Sequence, residues 1–201
     1  MKIEKIKNNL YKQLYKSEKN IKIDESNLLE LKQTITAIHT TFVAFKFSLE
    51  NDSRITEALK SEETKKEFNN DYKDLNKYPV IGGEYYIREI FYIDLKNIIF
   101  GNNNGFNNLT TNILKTIYSI ENKLENYNDY ISIKRDLFDL LIYMNELNLL
   151  IRFLRKYFYK NKGEKLFEII VMFVEKIHCG LENMFTQYLM WEESNNKWKI
   201  K

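Results

Sequence analysis

A chain of 201 residues can bury one well-formed core and is short for two, so a single helical domain over residues 1–201 is the expectation. Its 31 basic and 28 acidic residues leave a formal charge of +3, too mixed to mark a nucleic-acid binder by charge alone. The lone cysteine, Cys179, excludes an internal disulfide, and no stretch approaches the ~18 uncharged apolar residues of a membrane span.

These features point to a soluble protein of a reducing cytoplasm, with no membrane partner and no cofactor. Ile, Lys and Asn make up more than a third of the residues, a bias that AT-rich coding imposes whatever the function. One proline and six glycines leave long segments unbroken, and β-type alternation is scarce. The fold class is all-α, an up-and-down bundle of about six helices around a long central one.

Residues 1–22 form a basic amphipathic helix, with Ile3, Ile6, Leu10 and Leu14 on one face and lysines over the rest. Leu28, Leu31, Ile35, Ile38, Phe42, Phe45 and Leu49 then alternate at threes and fours, the mark of a core-facing seam. A third helix follows the break at Asn51-Asp52-Ser53. It is thinly supplied with apolar residues, and the run Lys60–Glu67 (KSEETKKE) reads as an exposed and mobile face. Pro79 ends that helix, and Val80–Gly83 (VIGG) makes a turn into a fourth helix that runs to Phe100. The Asn-rich stretch Gly101–Asn108 reads as a loop before a helix over Leu109–Tyr127.

Tyr130–Tyr159 is the central helix. Tyr130, Ile133, Leu137, Leu140, Met144, Leu147, Ile151, Leu154 and Phe158 form one apolar seam, and Phe138, Ile142, Leu149 and Phe153 form a second. Apolar on two sides, it must be wrapped by neighbours, with Leu28–Leu49 as the natural mate for its main seam and Leu109–Tyr127 as its hairpin neighbour. After a turn at Gly163, Leu166, Ile170, Phe173, Ile177, Met184, Tyr188 and Trp191 mark the core face of the last helix, and residues 194–201 form a frayed tail.

Three groups of polar residues are candidates for function. Asn145, Asn148, Arg152 and Arg155 make a polar line on the central helix that runs on through Lys156, Tyr159, Lys160 and Lys162. Interleaved bases and aromatics of this kind suit single-stranded nucleic acid, RNA or DNA, or a protein partner, and also serve as a cationic helix end favoured by the macrodipole. Glu175, His178 and Glu182 share a helix face, and Glu-x-x-His is the spacing of diiron bundles, which also need a second such motif and a glutamate from each of two other helices; the other histidine, His39, has Thr36 where that motif needs a glutamate, so the pattern is half missing. Cys179 directly follows His178, so the two side chains diverge by about 100° and make no local dyad.

All-helical bacterial proteins of this size are similar to the HEPN ribonucleases, whose active site pairs an arginine with a histidine a few residues later. None of Arg54, Arg88, Arg135, Arg152 or Arg155 has that histidine, so this resemblance implies at most an RNA-binding module without the catalytic motif. With no complete catalytic set, the expected function is non-enzymatic. The chain reads as a regulatory, inhibitory or accessory subunit that binds a protein or nucleoprotein partner, of the sort found in bacterial or phage defence and counter-defence.

Overall fold

A computed structural model describes residues 25–50, 52–71, 94–101, 104–126 and 130–185, and every regular element among them is helical. The helices are α1 (Glu25–Glu50), α2 (Ser53–Lys60), α3 (Glu62–Asp71), α4 (residues 94–100), α5 (Gly105–Asn126), α6 (Tyr130–Lys160) and α7 (Glu164–Phe185). The all-α bundle expected from the pattern is the one that forms. The basic helix over 1–22, the turn at 80–83 and the tail at 194–201 lie outside the described residues.

Helix α6 is the axis of the fold. Its 31 residues span about 46 Å. The main seam from Ile133 to Phe158 is buried, and so are Ile142, Leu149 and Phe153 of the second. Each such side chain contributes ~1.5–3 kcal/mol by leaving water, which requires a neighbour on each apolar side. Helices α5 and α7 supply two of them as antiparallel hairpin partners. Toward α5, Asp136 accepts hydrogen bonds from Ser119 Oγ and Lys123 Nζ, both at 2.6 Å. Toward α7, Phe158 meets Phe167 at 5.8 Å, and further from the turn Asn145 meets His178. Helix α3 closes a third side, with the Phe68 ring edge-on to Phe153 at 5.5 Å.

The turn between α6 and α7 is set by its backbone. Lys162 has φ 55, and the Gly163 N–H bonds to the Phe158 carbonyl at 2.7 Å. This is a Schellman closure with the left-handed position one residue before the glycine. Gly163 is buried, and a Cβ there would lie 2.6 Å from Phe158 Cδ1. Lys162 therefore takes the strained φ because the glycine is needed one position later, where the chain crosses the phenylalanine.

Four features depart from the expected arrangement. Helix α1 packs mainly on α5 and also touches α7, instead of mating with α6, whose sides are taken by α3, α5 and α7. The expected third helix is two helices broken at Ser61, whose ψ of 149 is extended. Ser61 Oγ accepts the Thr64 N–H at 3.2 Å and donates to the Ala58 carbonyl at 2.8 Å, ending one helix and capping the next. Helix α5 begins at Gly105, inside the expected loop, because Phe106 is buried and draws the first turn into the core. On α7 the buried stripe runs through Phe167, Ile170, Val174, Ile177 and Leu181, while Leu166 and Phe173 are half-buried at its edge, Phe173 turning toward Phe45 of α1 at 5.9 Å.

Candidate functional site

The polar line on α6 divides into two environments. At its N-terminal end Asn145 is buried, and its Oδ1 accepts the Nε2–H of His178, itself buried on α7, at 2.6 Å. The pair ties the two helices across the hairpin, and His178 is thereby turned into the packing interface. Glu175, three residues before it, is exposed on another side of α7, and the side chain of Glu182 lies outside the described residues. No group of three or more potential metal ligands occurs among the described residues. The other histidine, His39 of α1, makes a comparable tie to α5, with Nδ1 at 2.9–3.0 Å from the Glu121 carboxylate and its ring edge-on to Tyr118 at 4.4 Å.

From Asn148, which is half-buried, the line comes to the surface. Arg152, Arg155, Lys156, Tyr159, Lys160 and Lys162 are all exposed. Spacing divides them again, since Lys156 and Lys160 are one turn apart on the flank that faces α3. There Glu67 and Glu63, also one turn apart, meet them in reverse order, Lys156 Nζ reaching Glu67 Oε1 at 2.8 Å and Lys160 Nζ bonding Glu63 Oε1. A third tie lies beside these two, the Tyr157 hydroxyl donating to Glu57 Oε2 of α2 at 2.9 Å. The Lys160 ammonium holds the Glu63 carboxyl below the usual carboxylate range. Partial burial, helped by the Glu57 carboxylate, raises the Tyr157 phenol.

On the open flank the Arg155 guanidinium lies over the Tyr159 ring, 5.3 Å from its centroid. Tyr159 in turn meets Phe167 edge-on at 6.0 Å, which seats the ring on the core. Between this aromatic seat and α3 is a cleft of about 470 Å³ lined by Glu62, Glu63, Lys66, Lys156, Tyr159 and Lys160. The C-terminal half of α6 thus presents an arginine-capped aromatic beside a field of alternating charge.

The sequence shows the lysines of this line but not the carboxylates that meet them. The run Lys60–Glu67 reads in the sequence as an exposed, mobile face; Thr64 within it and Phe68 beside it are buried, and Glu63 and Glu67 pair with lysines of α6 while Glu62 pairs with Lys65. A signal was present, because Glu63/Glu67 and Lys156/Lys160 share the same four-residue spacing. Comparison with known proteins adds no assignment: no protein-family model, no curated protein and no solved structure matches this chain.

Proposed function

We propose that the chain acts by binding, as a regulatory, inhibitory or accessory subunit, and that the C-terminal half of α6 with α2 and α3 beside it is the surface that engages a protein partner, alone or within a nucleoprotein assembly. The observation that carries this reading is the Arg155–Tyr159 stack seated on Phe167. Arg and Tyr are the residue types in which interface energy concentrates, and a ring already held by the core costs little further entropy on binding. The ordered ion pairs alongside supply a mixed-charge rim, which selects orientation and partner more than raw affinity.

A nucleic-acid partner is less favoured by the same geometry. Glu62, Glu63 and Glu67 balance Lys66, Lys156 and Lys160 at the cleft, whereas a phosphate backbone rewards uncompensated cations. A cytoplasmic setting suits the exposed thiol of Cys179, and no helix among the described residues is long and apolar enough to cross a membrane.

The test is affinity capture from the source cell with wild type, an Arg155→Glu/Tyr159→Ala variant and a control, Lys115→Glu on the exposed surface of α5, followed by mass spectrometry and nucleic-acid extraction. A protein retained by wild type and control after nuclease treatment, and lost with the double variant, is the expected result. Capture that all three share equally overturns the assignment of this surface. Retention only of RNA or DNA, falling steeply with salt, transfers the function to nucleic-acid binding.

A further inference from the structure

The ion pairs around the cleft between α3 and α6 can be followed residue by residue, and they do not use every cation. Glu63 is taken by Lys160 and Glu67 by Lys156, both from α6. Glu62 lines the cleft but pairs within α3, with Lys65 at 2.8 Å. Lys66 lines the same cleft, is exposed, and forms no ion pair among the described residues. Its charge reaches Glu63 through space, yet that carboxylate is already bonded to Lys160. Arg155 is the second uncommitted cation. Its guanidinium lies over Tyr159, a residue of the cleft wall, and meets no acceptor among the described residues. Two positive charges are thus left over where each of the three glutamates already has a lysine.

We propose that the cleft receives an acidic side chain of the protein partner, an aspartate or glutamate whose carboxylate is taken up by Lys66 and Arg155 beside the Tyr159 ring. This rests on the α6 surface being the one that binds a protein, and it narrows the partner to one that offers a carboxylate there. A cation with no internal bond can accept a ligand without any existing pair being broken, so the attraction is offset only by lost hydration. The charge count selects the kind of anion. One carboxylate is matched by two cations, whereas a phosphate group of about −1.5 to −2 also stands against Glu62 and Glu63, and a nucleic-acid backbone needs a row of free cations.

The residue types agree with the count. A guanidinium presents a planar fork of N–H donors that fits the two oxygens of a carboxylate, and Lys66 adds a point charge on a flexible stem. Tyr159, seated on Phe167, gives the methylenes of the incoming side chain an aromatic wall. At about 470 Å³ the cleft has the size of a ligand pocket, with room for the acidic side chain and part of the segment that carries it.

Zero-length cross-linking of the captured complex with a water-soluble carbodiimide tests this, because the reagent joins an amine to a carboxylate in contact with it. Lys156 to Glu67 and Lys160 to Glu63 are the internal links that report the cleft itself. The expected result is an amide between Lys66 and one aspartate or glutamate of the retained protein, located by tandem mass spectrometry. Lys66→Glu is expected to weaken retention about threefold to tenfold, with a larger effect at low salt, and lysine in place of the linked carboxylate restores it. Lys66→Gln, which removes the charge without reversing it, has a smaller effect, and both variants keep the thermal unfolding of wild type. A retained protein that depends on Arg155 and Tyr159 but gives no Lys66 link, or is indifferent to Lys66→Glu, overturns this inference and leaves the surface standing. Retention abolished by phosphatase overturns it in favour of a phosphate. If no protein depends on Arg155 and Tyr159, both readings fail together.

Discussion

Two polar ties along α6 differ both in the charge of their side chains and in their surroundings. Asn145 and His178 are 6% and 7% exposed, and the hydrogen bond between them is made where water does not compete. Lys156 and Glu67 carry full charges, yet the lysine side chain is 62% exposed. Breaking a buried hydrogen bond costs more than making it gains, because a lost partner leaves a desolvated group, whereas a surface ion pair exchanges one good solvent for another. The lesson is that α3 is held to α6 by what lies under its ion pairs, chiefly Phe68.

The sharpest break of this comparison is Phe68→Ala. Removing a fully buried ring that packs on Phe153 and Phe100 is expected to cost about 3–5 kcal/mol in denaturant unfolding, although both ion pairs retain their charges. Next in size is Asn145→Val, which takes the acceptor from the buried imidazole and should cost roughly 1–3 kcal/mol; Asn145→Val combined with His178→Leu should recover part of that loss, since the donor that lost this acceptor is removed with it. A double variant as costly as the single would show that the loss does not come from a stranded imidazole.

Between the extremes stands Tyr143, half-buried on α6. Burial, with Asp139, Glu146 and Asp94 nearby, pushes its phenol up to about 12 from 10.0. The neutral form is favoured in the folded state, so its contribution is intact below pH 10 and is lost as pH rises from there toward 12. Water reaching the ring screens the effect to roughly 1 kcal/mol. Chemical unfolding at pH 8 and pH 11.5 should show a smaller alkaline loss for Tyr143→Phe than for wild type. Smallest of all is Glu67→Gln, expected to change stability by less than ~1 kcal/mol and to respond to added salt. The neighbouring Glu63–Lys160 tie, with the carboxyl held low, stabilises above the ordinary glutamate value and is lost as pH falls from there through the lowered one.

What could be read from the sequence was whatever repeats locally. The seams from Ile133 to Phe158 and from Leu109 to Leu124 are buried as their three-and-four spacing demands. Their partners were less legible, because Ile, Leu and Phe seams look alike and do not say which helix they meet; hence α1 finds α5 and not α6. The break at Ser61 was hidden because Ser61 and Thr64 cap a helix from inside a charged run without Gly or Pro. Asn145 and His178 could have been paired in advance. A tight turn at 161–163 folds α7 back on α6, so residues equally far from it on either side come together, as Phe158 and Phe167 also do.

The order of the helices has a kinetic consequence. Helices α5, α6 and α7 are successive hairpins whose contacts are near in sequence, and such contacts form fast. Helix α1 depends on α5, from which it is separated by more than fifty residues. During synthesis at ~5–20 residues per second, the seam from Leu31 to Leu49 waits roughly 4–15 s for Ile113–Leu124 to be made. Through that interval the N-terminal helices are the part of the chain most open to chaperones and to misassociation, and the C-terminal hairpins are the template on which they finally settle.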